Sequence, residues 1–310
     1  MHNKFVVNLL MILTVGLNAS STLANSTKLA NEIPIADLHF HPEAKMSPSK
    51  IMQVMDDNNV QWAGLGVKLG KFKLWKKYSD EMDGRFIPFA GQREFQVAFF
   101  KGGSSAMVDL DNPILSKFIR QVEGELETGK IKGIGELFIN KNSKKQRKHN
   151  RKVKADAPIF RDLYQLLAKH GAFLAFHMEG DSDSMGQMES LLESDRNGRI
   201  IWNHCGTNTS SSDVRKLLER NSNLFCELSK RYLVKGNQRN IFSKSQVDSD
   251  WLELIEDFSD RFMIGTDAHS IKQYHQYIKV VREGLLSRLS PSTIRKVAYE
   301  NAQHLFNLQW

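Results

Sequence analysis

Residues 33–42 read IPIADLHFHP. A short apolar run, Ile33 to Ala36, leads into a polar stretch in which His39 and His41 stand two apart. Residues two apart on a β-strand point to the same side. A strand over Ile33–His39 therefore aims both imidazoles at one place near its C-terminal end. A doubly wound nucleotide-binding sheet would put a glycine-rich phosphate loop after its first strand. Here that position holds His-Phe-His-Pro instead.

Similar short runs recur along the chain, at Val60–Val67, Arg85–Gly91, Ile131–Phe138, Ala172–Met178, Arg199–Cys205, Asn223–Leu228 and Arg261–Asp267. Each is short and mostly apolar, as a strand buried on both faces should be. Helical patterns separate them. Pro158–His170 carries apolar residues at helical spacing and stops at Gly171, a C-cap signal. Ser211–Arg220 opens with serines suited to capping. Ile271–Leu286 and Ser290–Leu308 read as closing helices, and the excursion Gln92–Lys130 adds helix between strands three and four. Strands alternating with helices give the α/β class, and eight such units predict closure into a (β/α)8 barrel. Trp62 and Trp202 are expected between barrel and helices.

The barrel makes the remaining polar residues informative, because active sites on this architecture lie at the C-terminal ends of the strands. His39 and His41 end the first strand, Glu136 the fourth, His177 the fifth, His204 the sixth and Asp267 the eighth. Buried together, these ionisable groups need a compensating charge, which a divalent cation supplies. Imidazole and carboxylate donors suit zinc, with manganese or iron as alternatives, and one or two ions. Four further residues are candidates for substrate contact: Arg93 after strand three, Glu179 two past His177, Arg231 after strand seven, and His269 two past Asp267. The arginines would fork onto a carboxylate or phosphate. His149, His170, His275 and His304 read as surface or packing residues.

The N-terminus, MHNKFVVNLLMILTVGLNASSTLA, has a charged start, an apolar run from Phe5 to Leu17 and small residues ending at Ala24. That is the pattern of a secretory signal peptide over residues 1–24, with residues 25–310 as a single exported domain, periplasmic or secreted. No later stretch is long and apolar enough to span a bilayer. Cys205 and Cys226 are the only cysteines, which excludes a small disulfide-stapled fold. Each lies inside an apolar run, so two buried thiols are expected rather than a bridge. The formal charge of +8 is concentrated in residues 141–154, KNSKKQRKHNRKVK, with eight Lys or Arg and no acid. The rest of the chain is close to neutral. The run is either a solvated loop or an attractor of an anionic partner.

The ordered set Asp-Leu-His39-Phe-His41-Pro, Gly-Ile-Gly-Glu136-Leu, His177-Met-Glu179, His204-Cys-Gly206 and Ile-Gly-Thr-Asp267 resembles the amidohydrolase superfamily, in its amidohydrolase-related branch. The closing Glu300-Asn301-Ala302-Gln-His-Leu305-Phe306 resembles the family's last helix. The resemblance runs over nearly all of the chain after the signal segment. It implies a metallo-dependent TIM barrel, with metal on His39, His41, His177, His204 and Asp267. Some members bridge two metals with a carboxylated lysine at the end of strand four. This chain has Glu136 there, as in the deoxyribonuclease-like members, and Lys132 is four residues too deep to substitute. The basic run departs from the common pattern. Asp267 is the expected catalytic base, taking a proton from the attacking water and passing it to the leaving group. The expected activity is hydrolysis of an amide, lactone, ester or related bond in a small anionic substrate. The alternatives are a phosphodiesterase or nuclease, which keeps nucleic acid among the substrates, a decarboxylase of an unsaturated or aromatic acid, and a catalytically silent binder of polyanions.

Overall fold

The computed structural model describes residues 24–41, 46–64, 74–143, 147–232 and 240–310. The expected signal segment, apart from Ala24, and the end of the second expected strand lie outside the described residues.

The chain forms parallel strands in a closed ring. They are β1 (Ile35–Asp37), β2 (Val60–Gly64), β3 (Phe86–Ile87), β4 (Phe89–Gly91) and β5 (Gly133–Lys141). A two-residue β6 (Arg151–Lys152) is followed by β7 (Phe173–Met178), β8 (Arg199–Asn203), β9 (Leu224–Glu227) and β10 (Phe262–Met263). Parallel pairing runs β1-β2-β3 and then β4-β5-β7-β8-β9-β10. Pro88 lies between β3 and β4 and brings no N–H to the ladder, so the third barrel strand is split there. The Leu38 amide donates to Ile264 O (2.9 Å), and Phe40 bridges Ala268, so the last strand meets the first. The predicted eight-stranded barrel is therefore the observed one.

Helices fill the crossovers. Residues 24–32 form α1, followed by α2 (Pro48–Asp56), α3 (Leu74–Glu81), α4 (Gln92–Ala106), α5 (Pro113–Glu127) and α6 (Pro158–Lys169). Then come α7 (Ser182–Ser194), α8 (Ser211–Arg220), α9 (Ser249–Asp257), α10 (Ile271–Val280), α11 (Pro291–Arg295) and α12 (Asn301–Phe306). The helix α6 begins on Pro158 and ends before Gly171, whose φ of 63° is cheap only for glycine. The Ser210 hydroxyl accepts from Asp213 N (3.2 Å) at the start of α8. The helices α4 and α5 supply the extra helix expected over Gln92–Lys130.

Inside the ring, Trp62, Ile87, Phe173, Ile201, Phe225 and Met263 pack with Phe306 of α12 into a floor that closes the barrel from below. Trp62 is thus inside the barrel, not between barrel and helices as its sequence suggested. Only a position inside the ring touches strands from all sides. Trp202 does face the helices, and its Nε1 donates to Met178 O (2.8 Å).

Two further expectations are corrected. Glu136 does not end its strand: β5 continues to Lys141 and turns back through β6, pairing Asn140 with Lys152 and Lys141 with Arg151. Lys141 and Arg151–Lys152 of the basic run therefore belong to a hairpin rather than a plain loop, while residues 144–146 of the run lie outside the described residues. Cys205 and Cys226 are joined by a disulfide, not held as two thiols. They sit at the ends of adjacent strands, where Trp202 is in register with Cys226, so their Cα atoms are 4.9 Å apart. The spacing in sequence did not reveal this proximity.

Candidate metal centre

All six expected ligands are buried and converge at the barrel mouth. Glu136 is the centre of the arrangement. Its Oε2 lies 3.2 Å from His39 Nε2 and 3.5 Å from His41 Nε2. Its Oε1 lies 2.7 Å from His177 Nδ1 and 3.3 Å from His204 Nε2. Asp267 sits across the site, with Oδ1 3.2 Å from His41 Nε2 and Oδ2 3.9 Å from His204 Nε2. One carboxylate oxygen thus serves each pair of histidines.

The imidazoles are oriented from behind by residues the sequence reading missed. His39 Nδ1 donates to Glu227 Oε2 (2.7 Å), which turns the Nε2 lone pair inward. Ser229 Oγ lies 2.7 Å from His204 Nδ1 and itself donates to Glu227 Oε2 (2.9 Å). Asn203 Nδ2 lies 3.2 Å from His39 Nδ1. Glu227 ends β9, the seventh barrel strand, so the rule that singled out the other six would also have found it. Gln92, the first residue of α4, donates from Nε2 to Glu136 Oε2 (3.2 Å). Lys230 forms an ion pair with Asp267.

Burial alone would raise the Glu136 carboxyl, but the charge on His39 and hydrogen bonds from His177, His204 and His39 hold it well below the usual range. Burial would likewise raise Asp267; the charges of Lys230 and His39 hold it well below instead. Burial drives His177 down to about 3 against its hydrogen bond to Glu136, and lowers His204 too. Burial would lower His39 and His41 as well, but the carboxylates around them raise both. A divalent cation taking that place would displace their protons and meet ionised carboxylates and imidazole nitrogens, the donor set it requires. Three triads, His39–His41–Glu136, His39–His204–Asp267 and Glu136–His177–His204, each bring ligand atoms within 4.8 Å of one another. The residues therefore fit a metal, and Glu136 shared between two triads fits a pair.

Above the ligands opens a cavity of about 380 Å³. His269 lines it, with Nε2 3.3 Å from Asp267 Oδ1 and its ring 4.9 Å from that of His41. The other three substrate candidates do not. Arg93 lies in α4 beside Glu94 (3.6 Å). Arg231 is buried over the Trp251 ring (4.3 Å) and donates to Thr209 O (2.9 Å). Glu179 faces a neighbouring cleft with Asp181 and Asn208. Side-chain direction after the strand ends, which sequence does not encode locally, decides this. His149, read as a surface residue, lines the cavity instead, together with Lys141, Arg151 and Lys230.

No family model matches the chain, and no curated protein matches it. Solved structures do. An uncharacterised TIM-barrel protein from Bordetella bronchiseptica is similar at 12% identity and TM-score 0.57, over 89% of this chain and 99% of that one. An amidohydrolase from Burkholderia multivorans, also solved with bound zinc, is similar at 14% identity and TM-score 0.55, over 89% and 99%. A dihydroxybenzoic acid decarboxylase from a Polaromonas species, with bound manganese and the inhibitor 2-nitroresorcinol, is similar at 12% identity and TM-score 0.51, over 89% and 97%. The architecture that the motifs implied is the one these structures share: this chain has the TIM-barrel fold.

Proposed function

We propose that this protein is an exported metal-dependent hydrolase that cleaves an ester, lactone, amide or related bond in a small anionic substrate. The observation that carries the reading is Glu136, with one oxygen toward His39 and His41 and the other toward His177 and His204. His39, His41, Glu136 and Asp267 would hold one cation, and Glu136, His177 and His204 a second. A divalent cation there, zinc or manganese, would lower the pKa of a water toward neutrality and polarise the oxygen under attack. Asp267 accepts the proton of the attacking water at Oδ1 and returns it to the leaving group. Lys230 keeps that carboxylate ionised, and His269, 3.3 Å away, extends the proton path to the cavity. Glu227 and Ser229 hold the imidazoles in the ligating orientation.

Decarboxylation of an aromatic or unsaturated acid is the second reading, supported by the fold match to a decarboxylase and by the cations around the cavity. Metal analysis of the purified protein, followed by a panel of esters, lactones, amides and phosphodiesters in ¹⁸O-labelled water, tests both. Hydrolysis puts the label in the product; carbon dioxide release without it selects decarboxylation. Alanine at His39 or at His204 should remove most bound metal, and full metal content in both variants overturns the assignment.

Export rests on the tripartite N-terminus and is supported by the Cys205–Cys226 disulfide, which suits an oxidising compartment. No described helix is long and apolar enough to cross a membrane. N-terminal sequencing should find a mature chain beginning near Asn25; an intact Met1 on cytoplasmic protein contradicts it.

A further inference from the structure

We infer that Arg151 and Lys141 form an oxyanion subsite that grips the non-reacting anionic end of the substrate. The proposal rests on the hydrolase reading only in placing the reacting end of the substrate at the metal ligands. Lys141 and Arg151 are register partners across the β5–β6 hairpin, and both line the cavity above Glu136 and Asp267. Like charges directly opposite on paired strands destabilise the hairpin. Arg151 adds a second cost, since it is only 6% exposed. Its Nε donates to His149 O (3.1 Å), one terminal nitrogen faces Met107 Sδ (3.8 Å), and its guanidinium covers the Phe99 ring at 3.6 Å. Among the described residues no carboxylate pairs with it. Burial consequently pulls its pKa down to about 10. A buried cation without a counter-ion is expensive unless a ligand supplies one.

The other described cations of the run behave differently. Lys152 turns away and pairs with Asp181 (3.2 Å) and Asp183 (3.5 Å), while Arg147, Lys148 and Lys154 are exposed. Among the described residues the hairpin therefore sorts its charges, sending Lys141 and Arg151 into the cavity. The carboxylates that share the cavity, Glu136 and Asp267, are metal ligands, so metal binding neutralises them and leaves the cations in excess. A guanidinium fork beside an ammonium suits an oxyanion, carboxylate or phosphate. Phe138 supplies an apolar wall between them, 5.0 Å from Lys141 Nζ and 5.6 Å from the Arg151 guanidinium. The cavity has the size of a small-molecule site.

The test is calorimetric titration of the full protein, metal-free and metal-loaded, with inorganic phosphate and with benzoate. The wild type should bind at least one of them, and which one identifies the anion. Arg151→Gln and Lys141→Gln should each weaken that binding tenfold or more with metal content unchanged. Lys152→Gln, on the same hairpin, should stay within twofold. Circular dichroism checks folding. If Arg151→Gln does not fold, the half-buried Lys141→Gln carries the test. The proposal falls if neither anion binds the wild type, if the two cavity variants bind like wild type, or if Lys152→Gln weakens binding equally. Anion binding that survives in a protein unable to take metal would sink the hydrolase reading and leave the subsite standing.

Discussion

At the scale of the residue, the site is built where the backbone is least comfortable. His204, Cys205, Lys230 and Asp267 have φ of 59°, 43°, 56° and 48°. Left-handed conformations at non-glycine residues cost on the order of 1–3 kcal/mol each and persist only where surroundings enforce them. Glu227 is one enforcer, joined to His39 and Ser229. Glu227→Gln keeps the shape but loses the charge that orients His39. Metal affinity should fall about 10- to 100-fold, read by competition with a chelator; unchanged affinity would remove Glu227 from the centre. Gly265 makes room for the same carboxylate. A methyl there would strike the Glu227 side chain and sit 2.7 Å from His39 Cβ. Gly265→Ala should cost ~1–3 kcal/mol of overpacking and weaken metal binding, both visible in melts with and without metal. Wild-type values in both would refute the crowding argument.

At the scale of the element, strand ends do the positioning and the sequence announces most of them. His39, His177, His204 and Asp267 follow short apolar runs, and the structure places each at the mouth. The hairpin was not legible, because Lys141 and Arg151 are brought into register by a turn within a run that reads as uniformly basic. The disulfide was hidden for a related reason. It joins the residue after His204 to the residue before Glu227, tying β8 to β9 behind the candidate metal site. Closing a loop with a sequence separation of 21 removes unfolded-state entropy worth about 3 kcal/mol. The double substitution Cys205→Ala and Cys226→Ala should lower stability by about that amount, and reductant should do the same to the wild type. A denaturation midpoint indifferent to both would show that the bridge does not constrain the unfolded chain.

At the scale of the whole molecule, the ring is closed by Asp37, which accepts from Thr266 N (2.8 Å), Thr266 Oγ1 (2.7 Å) and His39 N (3.0 Å). This suture sets His39 on the first strand against Asp267 after the last. A cation bound to both should stabilise the closed barrel over the open chain. Free metal at a thousand times its Kd contributes about 4 kcal/mol, which for a domain of this size is a rise of ~10 °C in Tm. Chelator should reverse it, and a Tm insensitive to zinc, manganese and chelator would argue against a site that spans the closure. The sequence by itself determined the barrel, its strand positions and the six residues that converge at its mouth. Period-two strand geometry and apolar burial are local properties, and the mouth of a barrel collects whatever ends its strands. Only the tertiary structure decided what stands behind and above those residues: Glu227 and Ser229 holding the imidazoles, Lys230 on Asp267, Trp62 on the floor, the paired cysteines, and Arg151 rather than Arg93 or Arg231 facing the cavity. Those depend on long-range register and on the direction each chain takes after its strand, and neither is encoded within a few residues of the side chain concerned.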